Sequence, residues 1–205
     1  TVATTRQGLA DLGLLGRSLQ PDATGVKGRV LGRDAVVFGV HVSNPIQSLP
    51  ETHLSGLLTR VYSNWKDVGG TDRPIILIGL GEGRSIRDVV LDHFGLRQPQ
   101  LRPDPSMATN HQVLQALASQ PAGLAYFSLA AAETFESRQE IKLLPFHGIP
   151  PTMDNIRNRT YPLLRTLLLL TRDEPNGLTK ELLEFACSEE AHEIVLKHGY
   201  VPGDP

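Results

Sequence analysis

Glycines at positions 79, 81 and 83 run directly into Arg84, Ser85, Ile86 and Arg87, and this is the stretch where the residue types could do chemistry. Such glycines let the backbone turn tightly and approach a ligand without a Cβ in the way. Two guanidinium groups and a hydroxyl follow, and these are donors suited to a small oxyanion. A helix that starts here leaves its first N–H groups without intrahelical carbonyls and offers its positive dipole end to negative charge. The pattern therefore predicts an anion-binding turn built from Gly83, Arg84, Ser85, Ile86 and Arg87. The spacing is G-x-G-x-G and not the dinucleotide fingerprint G-x-G-x-x-G, and no Lys follows to make a P-loop. A plainer reading stays open. Glycines commonly tighten a strand-to-helix connection, and Arg84 and Arg87 could pair with Glu82, Asp88 or solvent. Glu82, inside the turn, opposes an anion if it points inward.

The elements that must position this turn are legible on both sides. Pro74–Ile78 is a short β-branched run suited to a strand covered on both faces. Ile86, Val89, Val90 and Phe94 repeat at helical spacing, with Arg87, Asp88 and Asp92 on the opposite face. Upstream, Leu9–Leu15 reads as a helix end leading into a short strand, followed by a Gly16-Arg17-Ser18 loop. Ala35–Val42 reads as a strand whose Gly39 marks close packing or a bulge. Leu54, Leu57, Leu58 and Val61 mark an amphipathic helix over 51–62. Trp65, in a turn-rich connection, is expected to anchor packing. Residues 95–107, with three prolines among them, read as a long loop or short turns. Val113, Leu114, Leu117 and Ala118 mark a further helix. Strands are expected over 122–127, 141–146 and 163–171, the last two separated by an irregular crossing segment at 148–162. Two helices close the chain, with Leu182, Leu183, Phe185, Ile194, Val195 and Leu196 as their apolar positions and Ser188 as a cap. This alternation of strands and helices points to an α/β fold with a largely parallel sheet.

Composition narrows the function classes. The 205 residues can bury a substantial core, as one large domain or two small lobes. A formal net charge of -2, with no basic tract interleaved with aromatics, argues against a nucleic-acid binder. The apolar run 163–170 is interrupted by Arg165 and is too short to span a bilayer. Cys187 is the only cysteine, which excludes an intrachain disulfide and a thiolate zinc cluster, and its apolar neighbours suggest a core position. His192 and His198, six apart on one helix, do not share a face, so no metal-ligand set is expected and no cofactor is implied. Ser85 lacks the G-x-S-x-G elbow, and no arrangement of nucleophile and base marks an enzyme.

The order of these signatures resembles the substrate-binding proteins of bacterial phosphate ABC importers, in the type II periplasmic-binding-protein superfamily. Ala10-Asp-Leu-Gly-Leu-Leu-Gly-Arg-Ser-Leu19 is similar to that family's segment before the first crossover. Gly32–Pro45 resembles its strand into the second lobe, and Asn64-Trp65 with Val68-Gly-Gly-Thr-Asp72 its connection before the ligand turn. Pro121–Tyr126, Tyr161–Arg165 and the ending Gly199-Tyr-Val-Pro202 complete the set. The resemblance implies two α/β lobes joined by crossing strands: residues 1–42 plus 160–205 in one, 43–159 in the other, with ligand in the cleft between them. It implies an extracytoplasmic or periplasmic protein that takes phosphate or a related oxyanion and partners the membrane subunits of an ABC importer. Gly83, Arg84, Ser85, Ile86 and Arg87 would hold the ligand from one lobe, Gly16 and Arg17 from the other. The alternative is a sensor or interaction module on the same fold with a degenerate ligand site.

The departures from the family pattern are specific. Its usual Arg at the end of the central strand is Gly79 here, its Ser-Gly-Thr turn is Gly83-Arg84-Ser85, and the first lobe's Ser or Asp is replaced by Leu15-Gly16. Arg84 and Arg87 are the candidate replacements for the lost strand Arg, while Arg17 either faces ligand or pairs with Asp11. The family's opening strand, helix and strand, about fifty residues by usual lobe size, have no counterpart before Thr1. A partner or further segment is expected to cover the sheet edges this leaves.

Overall fold

Asp34–Val40 is buried without interruption, and this run is the spine of the protein. In the computed structural model, which describes residues 1–19, 23–133, 135, 138–172 and 174–203, the elements follow in this order: α1 (Val2–Arg6), β1 (Gly13–Leu15), β2 (Lys27–His41), α2 (Glu51–Leu58), β3 (Ile76–Leu80), α3 (Ser85–Phe94), β4 (Ser106–Met107), α4 (Asn110–Ala118), β5 (Gly123–Ser128), α5 (Leu129–Glu133), β6 (Ile141–Leu144), α6 (Met153–Arg157), β7 (Leu164–Thr171), α7 (Gly177–Ala186), α8 (Glu189–Lys197) and β8 (Val201–Pro202). The chain forms two units, Thr1–Asp34 with Arg165–Pro205, and Ala35–Leu164. The division falls between Asp34 and Ala35, within β2, and between Leu164 and Arg165, at the start of β7.

In the second unit β2 is the central strand. It pairs antiparallel with β5 on one side, Val36 opposite Ser128 through Val40 opposite Leu124, and antiparallel with β6 on the other. Beyond β5 lie β3 and β4, both parallel pairings. The expected largely parallel sheet is thus corrected to a mixed one. Only the β3–β5 neighbourhood has the helical crossover that a parallel pair requires, whereas β2 meets its partners running in opposite directions. Val36, Val37, Phe38 and Val40 are at most 1% exposed, which is the burial a strand paired on both edges and covered on both faces should show. Gly39 is a close approach and not a bulge, since a Cβ there would stand 2.8 Å from the Phe127 ring.

Around this sheet, α4 packs on β3 and β5, and α2 contributes Leu54, Leu57 and Leu58 to the core. Trp65 is 1% exposed and its indole N–H donates to the Ala122 carbonyl at 3.0 Å, the expected anchor. The Asn64 carboxamide holds the connection leading to β3: its oxygen accepts from the N–H groups of Lys66 and Arg73, and its nitrogen donates to Asp72. The segment 148–162, expected to be irregular, contains the short helix α6.

The first unit contains the beginning of β2, with β1 antiparallel to β7 and β8 antiparallel to β2. The short helix α1 lies ahead of β1 in the chain. Asp34 and Arg165 are both buried here and joined through Asp34 Oδ2, at 2.9 Å from Arg165 Nε and 2.8 Å from the terminal nitrogen. The two closing helices form as the spacing predicts, and the Ser188 hydroxyl caps α8 by accepting from Ala191 N–H. Their apolar faces are less covered than expected: Leu183 is buried, but Leu182, Phe185, Ile194 and Leu196 are exposed. Cys187 is half-buried at the end of α7, and not a core residue as its neighbours suggested.

Candidate functional site

The turn forms where a glycine, Gly81, follows the last residue of β3. Gly81 N–H donates to the Met107 carbonyl at 3.0 Å, closing the last rung against β4, and the chain reverses through Glu82 and Gly83. Gly83 has φ +75° with nothing near its missing Cβ, a left-handed conformation that costs glycine little. Arg84 is extended at φ -98°, the normal geometry for the residue before a helix, and α3 begins at Ser85. Its side chain cannot cap the helix, since a guanidinium has no acceptor. The N–H groups of Ile86 and Arg87 therefore lie in the first turn, beyond reach of any intrahelical carbonyl. At the other end Gly95, at φ 61°, closes α3 in the left-handed form.

The predicted ligand residues separate into groups. Gly83 and Arg84 are exposed, Ser85 is half-buried, and Ile86 turns its side chain into the core while its N–H stays at the helix start. The Arg84 guanidinium has no hydrogen-bond or ion-pair partner among the described residues. Glu82 is exposed and does not plug the turn. Gly16 and Arg17 lie in the first unit, in the bend that follows β1, both half-buried.

Arg87 departs from expectation. It belongs to the buried face of α3, with Ile86, Val90 and Leu91, and is only 3% exposed. Its guanidinium donates to Gln98 Oε1 at 2.8 Å, to the Gln98 carbonyl at 3.0 Å, to the Leu80 carbonyl at 3.4 Å and to the Leu101 carbonyl. The proline-rich loop after α3 curls beneath the helix as a single 3-10 turn at Gln98–Gln100, leaving carbonyls that no strand or helix satisfies. Arg87 satisfies them and so fastens the loop to the end of β3.

Sequence reasoning also missed two features beside the turn. Ser106, on the neighbouring strand β4, places its hydroxyl 3.1 Å from where a Cβ on Gly81 would stand. Tyr126 fills the space at Gly79: a Cβ there would lie 2.2 Å from its ring. The Tyr126 hydroxyl donates to the Leu80 carbonyl at 2.9 Å, and burial pushes its pKa up to about 12 against the opposing pull of Arg87. Neither contact was readable from local spacing, since each crosses from another strand. Elsewhere in the same unit Glu51, His93 and His147 converge, although the sequence pointed to no such set.

Comparison with known proteins places the fold. The phosphate-binding protein PstS of Borreliella burgdorferi is 26% identical over 186 residues, 86% of this chain and 66% of that protein. The PstS of Bacillus subtilis is 24% identical over 82% of this chain and 56% of its own length. The chain thus spans roughly 56–66% of these relatives. Among solved structures, a protein from Clostridium perfringens with bound phosphate, assigned as a phosphate ABC transporter substrate-binding protein, superposes with a TM-score of 0.85 at 21% identity. That match covers 99% of this chain and 83% of the other. It establishes the shared α/β architecture of type II periplasmic-binding proteins. A family model described as PBP superfamily domain matches residues 2–190, nearly the whole chain, and the protein therefore belongs to the PBP superfamily.

Proposed function

We propose that the protein is an extracytoplasmic solute-binding protein that captures phosphate or a related small oxyanion and presents it to the membrane subunits of an ABC importer. The observation that carries this reading is the exposed start of α3, where Gly83 opens the backbone, first-turn N–H groups converge, and the Arg84 guanidinium stands unengaged beside the Ser85 hydroxyl. A multivalent oxyanion needs many donors and a favourable field, and a helix start with an adjacent Arg supplies both. The names of the relatives agree: those from Borreliella burgdorferi and Bacillus subtilis are phosphate-binding proteins. The contribution proposed for Gly16 and Arg17 rests on the family resemblance. The importer's membrane subunits are partners in this reading, and no helix among the described residues is long and apolar enough to cross a membrane.

A second reading, a sensor or interaction module that does not transport, has its own support. Arg87 is committed to carbonyls and Gly79 has no room for a side chain, so two positions that could have supplied a guanidinium do not. Calorimetric titration with phosphate, sulfate and small carboxylates separates the two. The transport reading expects saturable heat with an oxyanion and a loss of about tenfold in affinity for Arg84→Ala, the size of one charge-assisted contact. Absence of heat with every oxyanion sinks it in favour of the second.

A further inference from the structure

We propose a divalent transition-metal site, of a type suited to Zn²⁺, at Glu51, His93 and His147, at the end of α3 opposite the glycine turn. Ligand atoms of the three side chains all lie within 4.8 Å of one another. His93 Nε2 is 3.1 Å from Glu51 Oε1, and His147 Nε2 is 2.5 Å from Glu51 Oε2. Two imidazole nitrogens and one carboxylate are the donor set that zinc takes when it keeps a fourth position for water. These three also suit the borderline ions generally, in contrast to the all-oxygen sets of calcium or magnesium. The side chains of His147 and Glu51 are 45% and 40% exposed, so an ion can enter from solvent and keep a water ligand.

Each ligand comes from a different element. Glu51 opens α2, where negative charge is favoured. His93 lies in the last turn of α3, at the helix end whose dipole favours a cation. His147 sits with Gly148 at the corner of a tight turn closed by reciprocal hydrogen bonds between Phe146 and Ile149, with φ of 51° and 77° at the two central residues. That geometry normally takes Asn-Gly, and a His there is strained. The rings are walled by aromatics: His147 stacks on Phe146 with centroids 4.5 Å apart, and His93 meets Phe94 and Phe146 edge-on at 5.0 and 5.2 Å. Small side-chain rotations suffice to bring three such atoms to one ion. Ser85 and His93 are separated by about 12 Å along the helix axis, so this site is separate from the proposed oxyanion turn. A bound ion would tie the beginning of α2 and the end of α3 to the turn after β6.

The test is titration of metal-free protein with Zn²⁺ in phosphate-free buffer, read by calorimetry and thermal unfolding, with Co²⁺ absorption reporting geometry. The expected result is one ion per chain, a raised Tm, and a tetrahedral Co²⁺ spectrum. His147→Asn preserves the turn, since Asn is at ease at positive φ, so this variant should fold at least as stably without metal. It should bind Zn²⁺ about 100-fold more weakly, or not at all. Glu51→Gln can still hydrogen-bond the imidazoles but lacks the charge, and should lose affinity to a similar extent. Wild-type protein that binds no Zn²⁺ overturns the proposal and leaves a hydrogen-bonded triad. So does wild-type affinity retained in both variants. Neither result depends on whether the protein binds phosphate.

Discussion

The ring of Tyr126 occupies the space that any side chain at residue 79 would need: a Cβ built on Gly79 stands 2.2 Å from Cε1 and 2.6 Å from the hydroxyl oxygen. β3 and β5 are adjacent parallel strands, so the contact is between neighbours and cannot be relieved by a loop. Gly79→Ala is expected to destabilise the protein by about 1–3 kcal/mol through overpacking. Gly79→Arg, which would place a guanidinium where the family resemblance implies one, is expected to unfold the strand end and not to strengthen anion binding. Denaturant midpoints for the two variants, with phosphate titration of any that fold, check this.

Tyr126 also gives the protein an alkaline limit. Its phenol is raised by burial to about 12 in the folded state, against a reference of 10.0. The raised value means that the folded form holds the proton more tightly. This stabilisation is complete below pH 10 and is lost as pH rises from there to about 12. The loss amounts to about 2–3 kcal/mol at most. Tyr126→Phe should flatten this part of the stability-versus-pH curve while costing about 1 kcal/mol at neutral pH for the lost bond to Leu80. Chemical denaturation at several pH values between 8 and 12 measures both effects.

Arg87 is predicted to be structural. Its four acceptors on Leu80, Gln98 and Leu101 are buried or nearly so, and removing the guanidinium leaves carbonyls without donors. Arg87→Met should therefore lower stability by about 3 kcal/mol and loosen residues 98–101, seen as faster amide hydrogen exchange there. Full stability in the variant would contradict this role.

The Asp34–Arg165 pair is buried, with side-chain exposures of 0% and 8%. Breaking it from one side strands a charge in the interior. Asp34→Ala is expected to cost about 3–5 kcal/mol, and an apolar replacement of both residues much less. A double-mutant cycle read by urea unfolding separates these outcomes.

Glu82 is the one acidic group within the glycine turn, and it is exposed. Under the proposed function Glu82→Gln should tighten oxyanion binding roughly two- to five-fold at low salt, the gain shrinking as ionic strength rises. Unchanged affinity at low salt would mean that bound anion and Glu82 do not sense each other.

Much of the architecture was legible in the sequence because it is written in local patterns. The spacing of Ile86, Val90 and Phe94, the Ser188 cap and the apolar run 35–40 are all decided within a few residues by backbone sterics and periodicity. The sequence by itself also placed the glycine turn between a strand and a helix, since a strand-to-helix reversal requires residues of that kind.

Tertiary structure alone decided how far-separated groups meet. Arg87 looked like a solvent-facing donor by helical spacing, but a loop 11 to 14 residues downstream folds under it with carbonyls to satisfy. Tyr126 reaches Gly79 from a neighbouring strand, and the sheet is mixed because β2 takes antiparallel partners on both edges, a matter of which strands meet. Glu51, His93 and His147 lie 42 and 96 residues apart along the chain, and no local periodicity relates them. Short-range sterics act between neighbours in sequence, while burial and hydrogen-bond satisfaction act between neighbours in space, and only the folded chain specifies the latter.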